Sequence, residues 1–147
     1  MQLRKTTLVL ILLASLTLAA LAACGPQATA AVSEADVTTL AEEKMQALND
    51  GDYATFTADF SDVLVGAIPE ESFQDLRETI LGASGRFESV TGLRLANAKS
   101  PGYVNYSITC KFEEEEVLLT LVYAVDGEQV EGIFFNAPKL NQAMQAP

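Results

Sequence analysis

The chain has 147 residues, of which 49% are hydrophobic and 20% are charged, and its formal net charge is −11. This length suits one domain with its own hydrophobic core plus short extensions. A surface this acidic is repelled by nucleic acid and by anionic lipid headgroups, so we expect no nucleic-acid partner and no electrostatic docking on a membrane. The sequence contains no histidine, which removes the commonest general base and the commonest zinc ligand.

The first 23 residues have the plan of an export signal. Arg4 and Lys5 form a basic start, an apolar core follows at 6–18, and small residues lead up to Cys24. The uncharged segment at 6–23 is just long enough to span a bilayer as a helix, so an uncleaved anchor helix is the alternative. Either interpretation leaves the rest of the chain outside the cytoplasm.

The four residues Leu21, Ala22, Ala23 and Cys24 resemble the lipobox of bacterial lipoproteins. That resemblance implies cleavage between Ala23 and Cys24 and a diacylglyceryl group on the sulfur of Cys24. All 20 acidic residues but only seven of the nine basic ones lie beyond Cys24, so the mature chain would carry a net charge of −13. Two acyl chains hold a protein stably on a membrane, whereas one does not. We therefore expect a lipid anchor in the cell membrane or the outer membrane.

Beyond the signal peptide, predicted at 1–23, the chain divides into three parts. Residues 24–32 lack apolar periodicity and are predicted to be a lipidated tether. Residues 33–137 are predicted to be one folded domain, and residues 138–147 a flexible polar tail.

Three helices are expected at the start of the domain. The first begins at Ser33 and ends at 49–51, where left-handed geometry is tolerated. Asp52 can cap the second helix. A loop through Gly66 then leads to the third, with Pro69 near its first position.

After the third helix the apolar period changes to two, which is typical of β-strands. The third of four strand patterns is apolar nearly throughout, as a strand covered on both faces would be. These patterns lie at 86–95, 104–112, 117–125 and 130–135. Helices followed by antiparallel strands indicate an α+β fold. We predict N-terminal helices packed on a curved four-stranded antiparallel sheet.

Sparse landmarks run through the domain from Val37 to Ala137. They are Gly51-Asp52-Tyr53, Phe56, Phe60-Ser61, Leu64, Pro69, Phe73, Leu76, Asp126-Gly127, Val130 and Gly132-Ile133. Together they resemble an uncharacterised domain-of-unknown-function family found in bacterial exported proteins and lipoproteins. The resemblance implies the cone-shaped fold of the nuclear transport factor 2-like (cystatin-like) superfamily, and it implies no reaction, because fold alone does not license a function.

A catalytic interpretation of the domain would rest on a carboxylate and a tyrosine. Enzymes that resemble ketosteroid isomerases use an apolar pocket, a carboxylate base and a tyrosine donor. Asp59 with Tyr106 or Tyr123 would fill those roles here, whereas the alternative is a solvated Asp59 and structural tyrosines.

Aromatic residues are the other candidates for a binding site. Tyr53, Phe56 and Phe60 share one helical stripe, which is most simply core. If the cone is open, these three together with Tyr106 and Tyr123 would line its pocket.

Two further features favour structural roles. Consecutive side chains of an extended Glu113–Glu116 segment point to opposite faces, so we expect a solvated hairpin end rather than a metal site. Cys110 is in phase with Ile108 and Phe112, which predicts a buried, unreactive thiol.

These observations predict a membrane-anchored, non-enzymatic module that binds a small apolar ligand or an envelope protein. We expect no catalytic residue, cofactor or metal. A cone-fold isomerase or cyclase and a purely structural envelope component are the alternatives.

Overall fold

The computed structural model describes residues 31–97 and 101–145, which form five helices and one four-stranded sheet. The helices are α1 Glu34–Asp50, α2 Tyr53–Thr57, α3 Asp62–Ala67, α4 Glu70–Ser84 and α5 Pro138–Gln145. The strands are β1 Phe87–Asn97, β2 Tyr103–Phe112, β3 Glu116–Ala124 and β4 Val130–Asn136. The predicted signal peptide and Cys24 lie outside the described residues. Within those residues, no helix is both long enough and apolar enough to cross a bilayer.

Both ends of α1 are closed by local chemistry. The Ser33 hydroxyl accepts a hydrogen bond from the Asp36 amide at 3.2 Å, as the sequence predicted for this start. Gly51 ends the helix in the left-handed conformation, with φ of 75°. The guanidinium of Arg77 in α4 then donates to the carbonyls of Leu48 and Asn49, two of the last carbonyls of α1.

The strands follow one another in the sheet in the order β1-β2-β3-β4, and every neighbouring pair is antiparallel. Register shifts in β1 between Phe87 and Ser89 and between Val90 and Gly92 bend this strand. The Asn49 amide exchanges two hydrogen bonds of 2.9 Å with the backbone of Phe87, which ties the end of α1 to the start of the sheet. The sheet curls without closing. The predicted α+β class, with N-terminal helices on a curved four-stranded antiparallel sheet, is confirmed.

The core lies between α1 and one face of the sheet. Alternate residues of β2 and β3 are buried on this face, and α1 contributes a matching apolar stripe. The buried apolar residues of these three elements are Val37, Ala41, Met45, Ala47, Leu48, Val104, Tyr106, Ile108, Cys110, Phe112, Val117, Leu119, Leu121 and Tyr123. On its other face β3 is half-buried, so the expected cover on both faces is present, but it is less complete on the side away from α1.

Two segments are more ordered than the sequence suggested. The expected loop through Gly66 is helix α3, because the Ser61 hydroxyl caps it by accepting from the Leu64 amide at 3.3 Å. The expected flexible tail at 138–147 is helical from Pro138 to Gln145, and Leu140 is fully buried.

Candidate functional site

Lys44 is a lysine inside the core. Its side chain is fully buried, and its ammonium donates to Asp59 Oδ2 at 2.6 Å and to the Thr55 carbonyl at 2.8 Å. The Phe60 ring centroid lies 5.8 Å from Nζ, within the range of a cation–π contact. Fully buried lysines are rare unless they are paired. This ion pair joins α1 to the segment that follows α2.

The segment Asp59–Ser61 is held in place by the sheet. The Val130 amide donates to the Asp59 carbonyl at 2.8 Å, and the Ser61 amide donates to the Val130 carbonyl at 3.0 Å. Phe60 thereby forms a parallel bridge with Val130 at the start of β4. Because this backbone is fixed, the Asp59 carboxylate is held against the buried ammonium of α1.

Tyr106 and Tyr123 form a second pair of polar groups in the core. Their ring centroids are 5.8 Å apart and the planes are almost perpendicular, at 89°. The Tyr106 hydroxyl donates to the Val32 carbonyl, whereas the Tyr123 hydroxyl is buried and has no partner among residues 31–97 and 101–145. Burial, together with the negative charge of Asp59, raises the pKa of Tyr123 to about 12. Burial also raises the pKa of Tyr106.

Tyr123, one of the two tyrosines that the sequence offers as a partner of Asp59, is affected by the Asp59 charge, but no hydrogen bond joins the two side chains among the described residues. The Asp59 carboxylate is not placed to act as a general base. A base must take up a proton from substrate, and the Asp59 carboxylate is already neutralised by Lys44 at 2.6 Å. This arrangement can stabilise the fold, and it presents no free carboxylate beside the tyrosine.

The sequence contained a signal for Lys44 that pattern reading passed over. Lys44 lies three residues after Ala41 and four before Leu48, both in the buried stripe of α1. A lysine at that position must be buried, and a buried lysine requires a counter-charge.

The other candidate pocket residues are packed together as core. The Phe56 ring centroid lies 5.3 Å from that of Phe60, and the Tyr53 hydroxyl donates to a backbone carbonyl at 2.9 Å. Phe56, Phe60, Tyr106 and Tyr123 are each at most 3% exposed. A ligand would therefore reach these four rings only if the core opened.

Cys110 is fully buried, as predicted. Burial, together with the negative charge of Glu42, raises the pKa of its thiol to about 12. The thiolate required for nucleophilic chemistry is therefore strongly disfavoured.

The turn Glu113–Glu116 is not simply solvated. Glu115 accepts hydrogen bonds from the Ser84 hydroxyl at 2.8 Å and from the Lys139 and Leu140 amides at 3.0 and 3.2 Å. Burial acts to raise the pKa of Glu115, but these hydrogen bonds outweigh burial and lower it. One carboxylate therefore caps α5 and joins it to the end of α4. Glu113, Glu114 and Glu116 are exposed, as expected of a solvated hairpin end, whereas Glu115 departs from that expectation because its partners lie far away in sequence.

The neighbouring glutamates are also occupied. The Arg86 amide donates to Glu113 at 2.9 Å, and Lys139 forms a salt bridge with Glu114 at 3.0 Å. In the part of the chain that the structure describes, no three carboxylate or thiol side chains converge on a possible metal position.

An open apolar groove of about 460 Å³ lies between α4, β4 and α5. Its walls include Ser72 and Leu76 of α4, Ile133 and Phe134 of β4, and Leu140 and Met144 of α5. Phe134 is 62% exposed and Met144 is 53% exposed. A second groove, between α1 and β1, is lined largely by polar and acidic side chains. The first groove is therefore the better candidate for binding an apolar group.

Comparisons with known proteins identify a family. Residues 41–131 match the family described as "Protein of unknown function (DUF3887)". The fold is similar to the NMR structure of a protein from Ruminococcus gnavus ATCC 29149, with a TM-score of 0.56 and 20% sequence identity over 75% of this chain and 94% of that one. At this identity the likeness shows the fold alone. No curated protein matches the chain. The chain belongs to the DUF3887 family, the kind of uncharacterised domain family that its landmarks predicted.

Proposed function

We propose that this protein is an extracytoplasmic lipoprotein whose domain binds a partner protein through the groove between α4, β4 and α5. The observation that carries the proposal is the exposure of Phe134 and Met144 beside an apolar groove. Exposed apolar surface of this kind marks interaction sites on soluble domains.

A partner protein suits the groove better than a small ligand enclosed in the cone. The aromatic side chains of the cone interior are packed against one another, whereas the groove opens directly to solvent. The buried polar groups also favour a binding role over catalysis, because the carboxylate of Asp59 is paired with Lys44. Tight packing of the interior equally favours a structural component, and the groove is what distinguishes a binding module.

Attachment through Cys24 supports the same role. A lipid anchor holds the domain at a membrane surface, where a partner in the same envelope is encountered repeatedly. Net repulsion from anionic headgroups leaves the acidic domain projecting from that surface.

Mass spectrometry of the protein from its native membrane tests the anchor. We expect an N-terminus at Cys24 that carries a diacylglyceryl group, and loss of lipid labelling in Cys24→Ala. Cys110→Ala is the matched control and should keep the label. An intact N-terminus at Met1, or cleavage without lipid, would contradict the proposal.

Site-specific photo-crosslinking in the native membrane tests the groove. A crosslinker at position 144 should capture a defined partner, and the second substitution Phe134→Gln should abolish that product. Val63 is 80% exposed and lies on α3, outside the groove, so a crosslinker there is the control. The same product from position 63, or no effect of Phe134→Gln, would refute a partner in the groove.

A further inference from the structure

Helix α4 carries an acidic stripe on the side that faces away from the core. Glu71, Asp75 and Glu78 are spaced at i, i+4 and i+7, so they lie on one face of the helix. The opposite side of α4 carries the buried residues Phe73 and Ile80. The stripe borders the groove wall through Asp75, which is the i+3 neighbour of Ser72. All three carboxylates are exposed, and none forms a salt bridge within the described residues.

The basic side chains of the domain are mostly engaged elsewhere. Five of them are held by carboxylates or backbone carbonyls of this chain, namely Lys44, Arg77, Arg86, Lys111 and Lys139. On α4 itself the only basic residue is Arg77, and it is turned toward the end of α1. The stripe is therefore not neutralised from its own helix.

We infer that the groove takes a cationic amphipathic peptide segment of the partner, with apolar side chains on the groove floor and Lys or Arg beside the stripe. This inference rests on the proposed function and adds the chemistry of the partner. Apolar contacts with Leu76, Ile133 and Met144 supply affinity. The stripe selects positive flanks and accelerates encounter.

Exclusion of other partners follows from the same charges. An acidic or neutral apolar segment would bury the groove equally well but would meet repulsion, or no attraction, at α4. Specificity of this kind depends on disfavouring the wrong partner as well as on contacts with the right one.

Fluorescence anisotropy with three synthetic peptides tests the inference. The peptides share one amphipathic leucine pattern and carry lysine, glutamine or glutamate on the polar face. The protein is the full chain from Cys24 onward with Cys24→Ser, so that no acyl group attracts the peptide. We expect the lysine peptide to bind and to weaken as salt rises from about 0.05 M to about 0.5 M, because screening shortens the range of the attraction.

A matched pair of double variants separates local from overall charge. Glu71→Gln with Asp75→Asn should weaken the lysine peptide by about threefold to tenfold, as loss of two screened charge contacts implies. Glu42→Gln with Glu43→Gln removes the same charge from the exposed face of α1, away from the groove, and should have little effect. Equal weakening by both pairs, or no binding of the lysine peptide, overturns the inference.

A groove variant distinguishes this outcome from failure of the proposed function. If the neutral or acidic peptide binds as tightly as the lysine peptide and Phe134→Gln abolishes binding, the groove binds but its charge preference is refuted. If Phe134→Gln leaves binding of the lysine peptide unchanged, the groove is not the site, and both the proposed function and this inference fail.

Discussion

Removing the Tyr123 hydroxyl should stabilise the protein. This group is buried with no hydrogen-bond partner among the described residues, and an unsatisfied buried polar group costs about 1–3 kcal/mol. Tyr123→Phe deletes the hydroxyl and keeps the ring against Tyr106. We therefore expect the free energy of unfolding to rise by about 1 kcal/mol or more, with a midpoint increase of about 4 °C.

Tyr106→Phe is the matched control because it removes the same atom from the other ring. Its hydroxyl donates to the Val32 carbonyl, so its loss should lower stability by about 0.5–1.5 kcal/mol. Thermal unfolding followed by circular dichroism measures both variants. Destabilisation by Tyr123→Phe would refute the reasoning, because it would mean that a water or ligand satisfies this hydroxyl.

Alkaline pH provides a second test of Tyr123. Its pKa is about 12 in the folded protein against an ordinary value of 10.0. A raised pKa means that the folded state favours the neutral phenol. The free energy of unfolding is therefore unaffected by this titration below pH 10 and falls as pH rises from 10 toward 12. The stability advantage of Tyr123→Phe should therefore grow above pH 10, by about 1.4 kcal/mol per pH unit of that window.

Three other predictions concern the ion pair, the α5 cap and the thiol. Asp59→Asn leaves the buried ammonium of Lys44 without its counter-charge and should lower the free energy of unfolding, measured in urea, by about 3 kcal/mol. Lys44→Met leaves a half-exposed carboxylate and should lower it by about 1–2 kcal/mol. A larger loss for Lys44→Met than for Asp59→Asn would contradict a buried lysine. Glu115→Gln should cost about 1 kcal/mol and speed amide exchange in α5, whereas Glu114→Gln, at an exposed pair, should cost less than about 0.5 kcal/mol. The pKa of Glu115 is lowered from 4.5, so its contribution to the free energy of unfolding is present above pH 4.5 and is lost as pH falls through the folded pKa. If Glu115→Gln and the parent protein lost stability equally on acidification, that result would count against the cap. Cys110 should resist a thiol reagent at about pH 8 until the protein unfolds, because its pKa is about 12, and rapid labelling of the native protein would show that it is accessible.

Local patterns were sufficient to predict most of the fold. The alternation of β2 and the caps at Ser33 and Asp52 are properties of neighbouring residues, and the structure contains all three. Gly66 favours a loop where the structure has helix α3, because the Ser61 hydroxyl caps that helix.

The polar contacts between distant segments were not predictable in the same way. The cap of α5 comes from Glu115, 25 residues before Leu140, and no local pattern links the two. The partner of Lys44 is likewise 15 residues away, although the position of Lys44 in an apolar stripe called for one. The sequence suggests Asp59 with Tyr106 or Tyr123 as a pair, but it does not show that Lys44 donates to the Asp59 carboxylate.

The Glu115 cap of α5 has a consequence for binding. Leu140 and Met144 reach the groove only while α5 is docked, and Glu115 provides the cap of that docked helix. A partner in the groove therefore selects the docked population, and its apparent affinity falls in proportion to the undocked fraction. By linkage, a bound partner must protect the α5 amides from exchange, and acidification that protonates Glu115 must favour release. If the proposed partner binds in the groove, α5 would therefore hold it less firmly once Glu115 is protonated.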